Sequence, residues 1–146
     1  VDQDYFDSHF LLRRRYCFVV HRSHPLASYD TIDISQLQGE NIMIMNESFK
    51  VYHILMSLCK KKGFKPKFTY EAGEIAPIQN LVIKKYGVGI STEFVAKKHQ
   101  LPETKILFVN DPAFSWNIYL ISKKQKTLSK EARTFIDYIQ KSSPIA

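Results

Sequence analysis

Cys17-x3-His21-x2-His24 is the densest grouping of nucleophilic and metal-ligating residue types in the chain, yet its spacing argues against joint chemistry. On an extended segment Cys17 and His21 share one face while His24 falls beyond it on the other. Neither a metal site nor a Cys–His nucleophilic pair is expected. His53 sits inside a helical pattern, and His9 and His99 lie in polar stretches, all three reading as satisfied or surface histidines. Gly87-Val88-Gly89 offers two glycines but no third, and it follows a helix instead of a strand, so it is no dinucleotide fingerprint. Phe114 and Trp116 could stack on a ring ligand; as single aromatics beside a turn they read as packing. No acid, base and nucleophile converge, so we expect no enzyme, no metal and no cofactor.

Two polar loops remain, and their chemistry is that of binding. Asn46-Glu47-Ser48-Phe49 follows an apolar run, as does Ala72-Gly73-Glu74-Ile75. Asn46 and Ser48 can donate to a carboxylate or phosphate, and Gly73 permits close backbone approach. Glu47 and Glu74 would repel an anion and suit an amine or hydroxyl. Asn46 and Ser48 equally suit plain capping of the helix that follows.

The elements that would position these loops alternate. Tyr16–Val20 reads as a buried strand stopped before Pro25, and Asn41–Met45 as a second strand. A helix is expected from about Phe49 to Lys62, with Val51, Ile54, Leu55 and Leu58 on one face and Asn46 or Ser48 as cap. Lys60-Lys61-Lys62-Gly63-Phe64-Lys65-Pro66 is its stop signal. A third strand around Phe68 and Tyr70 leads to a helix from Ile75 that Gly87 ends. Val88–Ser91 is a short strand, Thr92 caps a further turn, Lys105–Val109 and Trp116–Ser122 are strands, and Ser129 caps a last helix. Such alternation argues an α/β fold with a mainly parallel sheet, whose ligands sit at the carboxyl ends of strands.

Composition is consistent with this. The 146 residues are 45% hydrophobic, 24% charged and 13% aromatic, a globular balance that excludes a disordered or collagen-like chain. No apolar run nears the roughly 20 residues of a membrane span, and residues 1–9 show no targeting pattern. Cys17 and Cys59 each lie in an apolar periodic segment and form no disulfide framework, which fits a cytoplasmic location. Net charge is +7. Its bases fall in clusters at 13–15, 60–62, 84–85, 97–98 and 123–126, several of them at helix ends, where cations satisfy the dipole. No basic recognition helix accompanies them, so charge alone does not argue DNA binding.

Several segments resemble a known family in its own order. Residues 15–27 (RYCFVVHRSHPLA) are similar to the strand-to-HPLA crossover of the effector-binding domain of LysR-type transcriptional regulators. Ile34–Glu40 (ISQLQGE), the CxxxGFxP pattern from Cys59 to Pro66, Asn80–Ser91 (NLVIKKYGVGIS) and Leu128–Ile139 (LSKEARTFIDYI) follow in that family's spacing. One departure stands out: Thr92-Glu93 occupies the place where the family usually has proline after the short strand.

The resemblance implies a periplasmic-binding-protein-like (type 2) α/β effector domain, with one complete Rossmann-like lobe and part of a second. Residues 1–25 would be a remnant of regulatory lobe 1 with the first crossover strand, 26–110 lobe 2, and 111–146 the return crossover, strand and helix of lobe 1. It further implies a small-molecule co-inducer bound by Asn46, Glu47, Ser48, Phe49, Gly73, Glu74, Ile75, Val88 and Ser91, without catalysis. Effector domains would pair as homodimers or tetramers, with apolar surface of the incomplete lobe promoting association. Promoter DNA would be met only by a winged helix-turn-helix N-terminal to this segment. A solute-binding protein of a transport system shares the two-lobe architecture and is the alternative.

Overall fold

Short apolar runs bounded by turn residues become strands, and stripes at helical spacing become helices, in the computed structural model, which describes residues 4–124 and 127–142. The order is β1 (Phe6–His21), a 3-10 turn (Pro25–Ser28), β2 (Thr31–Ile32), a second 3-10 turn (Ile34–Leu37), β3 (Asn41–Met45), α1 (Lys50–Lys61) and β4 (Lys67–Ala72). Then come α2 (Ile75–Ile83), β5 (Val88–Thr92), α3 (Glu93–Lys98), β6 (Thr104–Val109), β7 (Ser115–Lys123) and α4 (Lys130–Ser142). Lys126, in the last basic cluster, lies outside the described residues. Among the described residues no helix is long and apolar enough to cross a membrane.

Two compact units divide the chain, one of residues 15–115 and one of residues 1–14 with 116–146. In the larger unit the strand order is β2-β6-β1-β5-β3-β4. The expected mainly parallel sheet is mixed: β2/β6, β3/β4 and β3/β5 are parallel, but β1 runs antiparallel to both β5 and β6. β1 is joined to neither β5 nor β6 by a single helical crossover, so the constraint that keeps crossover-linked strands parallel does not apply to it. The core is built on this sheet, from Phe18 and Val20 on β1, Ile42 and Ile44 on β3, Leu55 on α1, Ile78 and Val82 on α2, Ile90 on β5 and Leu107 on β6.

In the smaller unit the first part of β1 pairs with β7. Phe10 meets Tyr119 edge-on with ring centroids 5.6 Å apart. α4 starts as expected, Ser129 Oγ accepting from the Ala132 amide at 3.2 Å. None of its described residues is fully buried, and Phe10, Tyr119, Ile121, Phe135 and Tyr138 are exposed.

Helix ends show where local chemistry decides. α1 closes in a Schellman motif: the Phe64 amide donates to Cys59 O at 3.1 Å and the Gly63 amide to Lys60 O at 3.0 Å, with Gly63 at φ +84°. α2 closes in the same way but two residues earlier than Gly87, Tyr86 N donating to Leu81 O and Lys85 N to Val82 O. Lys85 itself takes the left-handed conformation, φ +63°. Gly87 has another task, because a Cβ there would stand 2.2 Å from Asn41 O. Thr92 caps α3 as expected, its Oγ1 accepting from the Val95 amide at 3.3 Å.

Candidate functional site

Sheet register gathers the candidate loops. Parallel β3 and β4 pair Met45 with Ala72, and parallel β3 and β5 pair Met43 with Gly89. Two residues further along, Met45 is level with Ser91, so Asn46, Gly73 and Ser91-Thr92 end their strands side by side. Antiparallel β1 places Tyr16 opposite Thr92. The adjacency of the two loops is direct, since the Asn46 amide donates to Ala72 O at 2.8 Å.

Asn46 and Ser48 do not cap α1, contrary to the expectation from their residue types. Asn46 Oδ1 turns back to accept from the Ser48 amide at 3.1 Å, closing a side-chain turn upstream of the helix. The N-cap is Phe49, which offers no side-chain hydrogen bond. α2 begins at Glu74, likewise without a side-chain cap. Both helices thus open at this edge with amides that, among the described residues, no N-cap side chain satisfies, an arrangement favouring negative charge. Ser48, Phe49, Glu47, Glu74 and Gly73 are exposed; Asn46 and Ile75 are half-buried.

Val88 and Ser91 are different in kind. Val88 is fully buried at the opposite end of β5, so its side chain belongs to the core. Ser91 is also buried, and among the described residues its Oγ has no hydrogen-bond partner. A Cβ on Gly89 would lie 2.5 Å from Val82 Cγ2 and 2.9 Å from Ile78 Cγ2. Alternate strand residues share a face, so Ser91 faces the α2 side above Gly89. Gly87 and Gly89 therefore serve close packing, which explains a GxG pattern without phosphate chemistry.

His53 is a participant that residue typing passed over. Its Nε2 donates to Glu47 O at 2.7 Å, tying the loop to the first turns of α1. Glu47 precedes His53 by six residues, the reach from the loop to the first turn of α1. Arg15, on β1, also belongs to this edge. Its guanidinium donates to Glu93 at 3.0 and 3.1 Å and lies 4.6 Å from the Phe108 ring centroid. Hydrogen bonds from Arg15 and then Lys97 hold the Glu93 carboxyl at about 2, well below its usual range.

Cys17, His21 and His24 do not converge. Burial pushes the Cys17 thiol up to about 12, so it stays protonated and unreactive. His21 Nδ1 accepts from the Ser23 amide at 3.0 Å, and His24 Nδ1 from the Leu26 amide at 3.2 Å. Each ring braces the turn after β1. Phe114 is 2% exposed and stacks on Phe18 with centroids 5.0 Å apart, so it is packing and no ligand platform.

Known proteins are similar to this chain in sequence and architecture. A family model described as the LysR substrate binding domain matches residues 1–144. The protein named Uncharacterized HTH-type transcriptional regulator YwbI, from Bacillus subtilis (strain 168), is 27% identical over 137 residues, which are 94% of this chain and 46% of that protein. The chain thus spans less than half the length of that relative. Two solved structures have closely similar architecture. The effector binding domain of QuiR in complex with shikimate has a TM-score of 0.82 at 24% identity, covering 97% of this chain and 67% of that one. The Synechocystis PCC6803 CcmR regulatory domain in complex with 2-PG has a TM-score of 0.84 at 18% identity, covering 99% of this chain and 70% of that one.

Proposed function

Since the chain belongs to the LysR substrate binding domain family, with the periplasmic-binding-protein-like type 2 fold of its effector domains, we propose that it senses a small molecule for a DNA-binding transcriptional regulator. The observation that carries the reading is the side-by-side ending of β3, β4 and β5, which gathers Asn46–Phe49, Gly73–Ile75 and Ser91 at one sheet edge. Val88 lends its backbone to that strand, and its side chain only to the core.

The uncapped starts of α1 and α2 suit an anionic group of the effector, while Glu47 and Glu74 suit an amine or hydroxyl on the same molecule. A polar, amphoteric metabolite meets both demands. Sensing needs no covalent step: a ligand that prefers one arrangement of the regulator shifts the population toward it. We take residues 26–110 as the lobe that supplies these loops and residues 1–25 and 111–146 as crossovers and remainder of the other lobe. The compact unit around the loops is wider, residues 15–115, because the crossover segments 15–25 and 111–115 pack with it. In the full regulator, promoter DNA falls to a winged helix-turn-helix outside this sequence, and the location is cytoplasmic.

Self-association through effector domains is the expected quaternary behaviour. The exposed Phe10, Tyr119, Ile121, Phe135 and Tyr138 support it, because uncovered apolar surface favours pairing. Sedimentation at increasing concentration should show dimers or larger species; a monomer throughout would refute this part. For the effector, a thermal-shift screen of small polar carboxylates should yield at least one stabilising compound whose affinity falls tenfold or more in Ser48→Ala or Asn46→Ala. Unchanged affinity in both variants would remove these loops from the site.

A further inference from the structure

A groove lies at the opposite end of β4 from the effector loops. It has a volume of about 620 Å³ and is lined by Met56, Ser57, Lys60, Phe64, Lys65 and Pro66, around Gly63. These residues occupy the outer side of α1's second half and the turn that leads into the start of β4. β4 ends at Ala72, beside Asn46, so its whole length separates this groove from the candidate site.

We propose that this groove is a docking site for an acidic segment of another protein that inserts one apolar or aromatic side chain between carboxylates. Three observations carry the assignment. The floor is apolar: Met56 and Phe64 are half-buried and Pro66 is buried, so one hydrophobic side chain can be desolvated there. The rim is cationic: Lys60 and Lys65 border the floor, with Lys61 and Lys67 next to them in the chain. Among the described residues none of these four has an ion-pair partner, and only Lys62 of this run is paired, with Asp33 at 2.8 Å. The floor is also preorganised, because the two Schellman hydrogen bonds fix Gly63 and Phe64 on the end of α1.

Shape selects among anions. The groove is open on its outer side, so a small organic anion would keep much of its own surface in water, whereas a protein segment brings its own cover. A nucleic-acid backbone would satisfy the lysines but would leave Met56 and Phe64 without an apolar counterpart. Four unpaired ammonium groups in one run also steer an acidic partner and speed its encounter.

Selection of random 12-residue peptides displayed on phage against the immobilised 146-residue chain tests this. The enriched peptides should combine at least two carboxylates with a large apolar residue. A synthetic copy should lose tenfold or more in affinity for Lys60→Glu/Lys65→Glu, lose roughly half of that for Lys60→Gln/Lys65→Gln, and weaken as salt rises. Neither double variant should change the melting temperature or the response to a confirmed small-molecule effector, which separates this site from the effector loops. Failure to enrich acidic peptides, undiminished binding by Lys60→Glu/Lys65→Glu, or displacement of the peptide by an equal charge of random-sequence duplex DNA would each overturn the proposal.

Discussion

Arg15 clasps Glu93 through two hydrogen bonds, Nε to Oε2 at 3.0 Å and Nη2 to Oε1 at 3.1 Å, and so joins the first residue of the larger unit's β1 to the start of α3. Lys97 adds a third contact to the same carboxylate at 2.7 Å. Glu93 thus ties the residue just after β5 to β1 and to the next turn of α3.

The carboxyl of Glu93 is held at about 2, against an ordinary 4.5, first by its hydrogen bond with Arg15 and then by that with Lys97. A depressed acid contributes stability above its unfolded pKa and loses it as pH falls through the folded value. Glu93→Gln should therefore cost about 1–2 kcal/mol at neutral pH, a figure discounted because Arg15 is half in solvent. That difference from the parent should shrink between pH 4.5 and 2 in chemical denaturation. A pH-independent difference would mean that Glu93 acts by packing alone.

Ser91→Ala separates stability from binding. The hydroxyl is buried with no partner, so its removal should leave stability unchanged or raise it by about 1 kcal/mol. Effector-induced stabilisation should fall in the same variant. A loss of more than about 1 kcal/mol in the free protein would show that the hydroxyl is already satisfied.

Lys85→Gly should stabilise the chain by about 0.5–1 kcal/mol. Lys85 stands at φ +63°, where a Cβ is costly and glycine is not, and glycine's greater freedom when unfolded returns part of the gain. Thermal denaturation checks the sign; a lower melting temperature would mean that the Lys85 side chain contributes more than its backbone costs.

Phe114→Ala should destabilise by about 3–5 kcal/mol, the ordinary cost of deleting a fully buried aromatic. Its ring stacks on Phe18 at 5.0 Å and lies 5.6 Å from Tyr16, while its carbonyl accepts from the Tyr16 amide at 3.1 Å. Urea titration with an unchanged slope would confirm loss of packing without loss of fold; a cost below 1 kcal/mol would contradict this role.

Features set by adjacent residues are legible in the sequence, and those set by distant pairings are not. Gly63-Phe64-Lys65-Pro66 announced the end of α1 because a Schellman turn is chosen by three or four adjacent residues. Thr92 and Ser129 announced caps for the same reason. Asn46 and Ser48 misled because an Asn side chain can satisfy the backbone two residues on as readily as a helix start, and no neighbour distinguishes the two uses. β1 begins ten residues before the expected Tyr16, at Phe6, because its first part is held by β7, more than a hundred residues away. Residue type marks the candidate loops, but their adjacency is a product of register, which single-strand patterns do not carry. Ser91's buried, unpartnered hydroxyl was likewise invisible, since whether a strand serine faces a helix depends on which residue packs above it.

Gly89 leaves less than a methyl group's room against Val82 and Ile78. Positions 78, 82 and 89 consequently share a single fixed volume, and a change at one is felt through the others. Gly89→Ala alone forces two β-branched side chains on α2 to move, whereas Gly89→Ala with Val82→Ala should recover much of the loss, a non-additivity that places all three positions under joint selection.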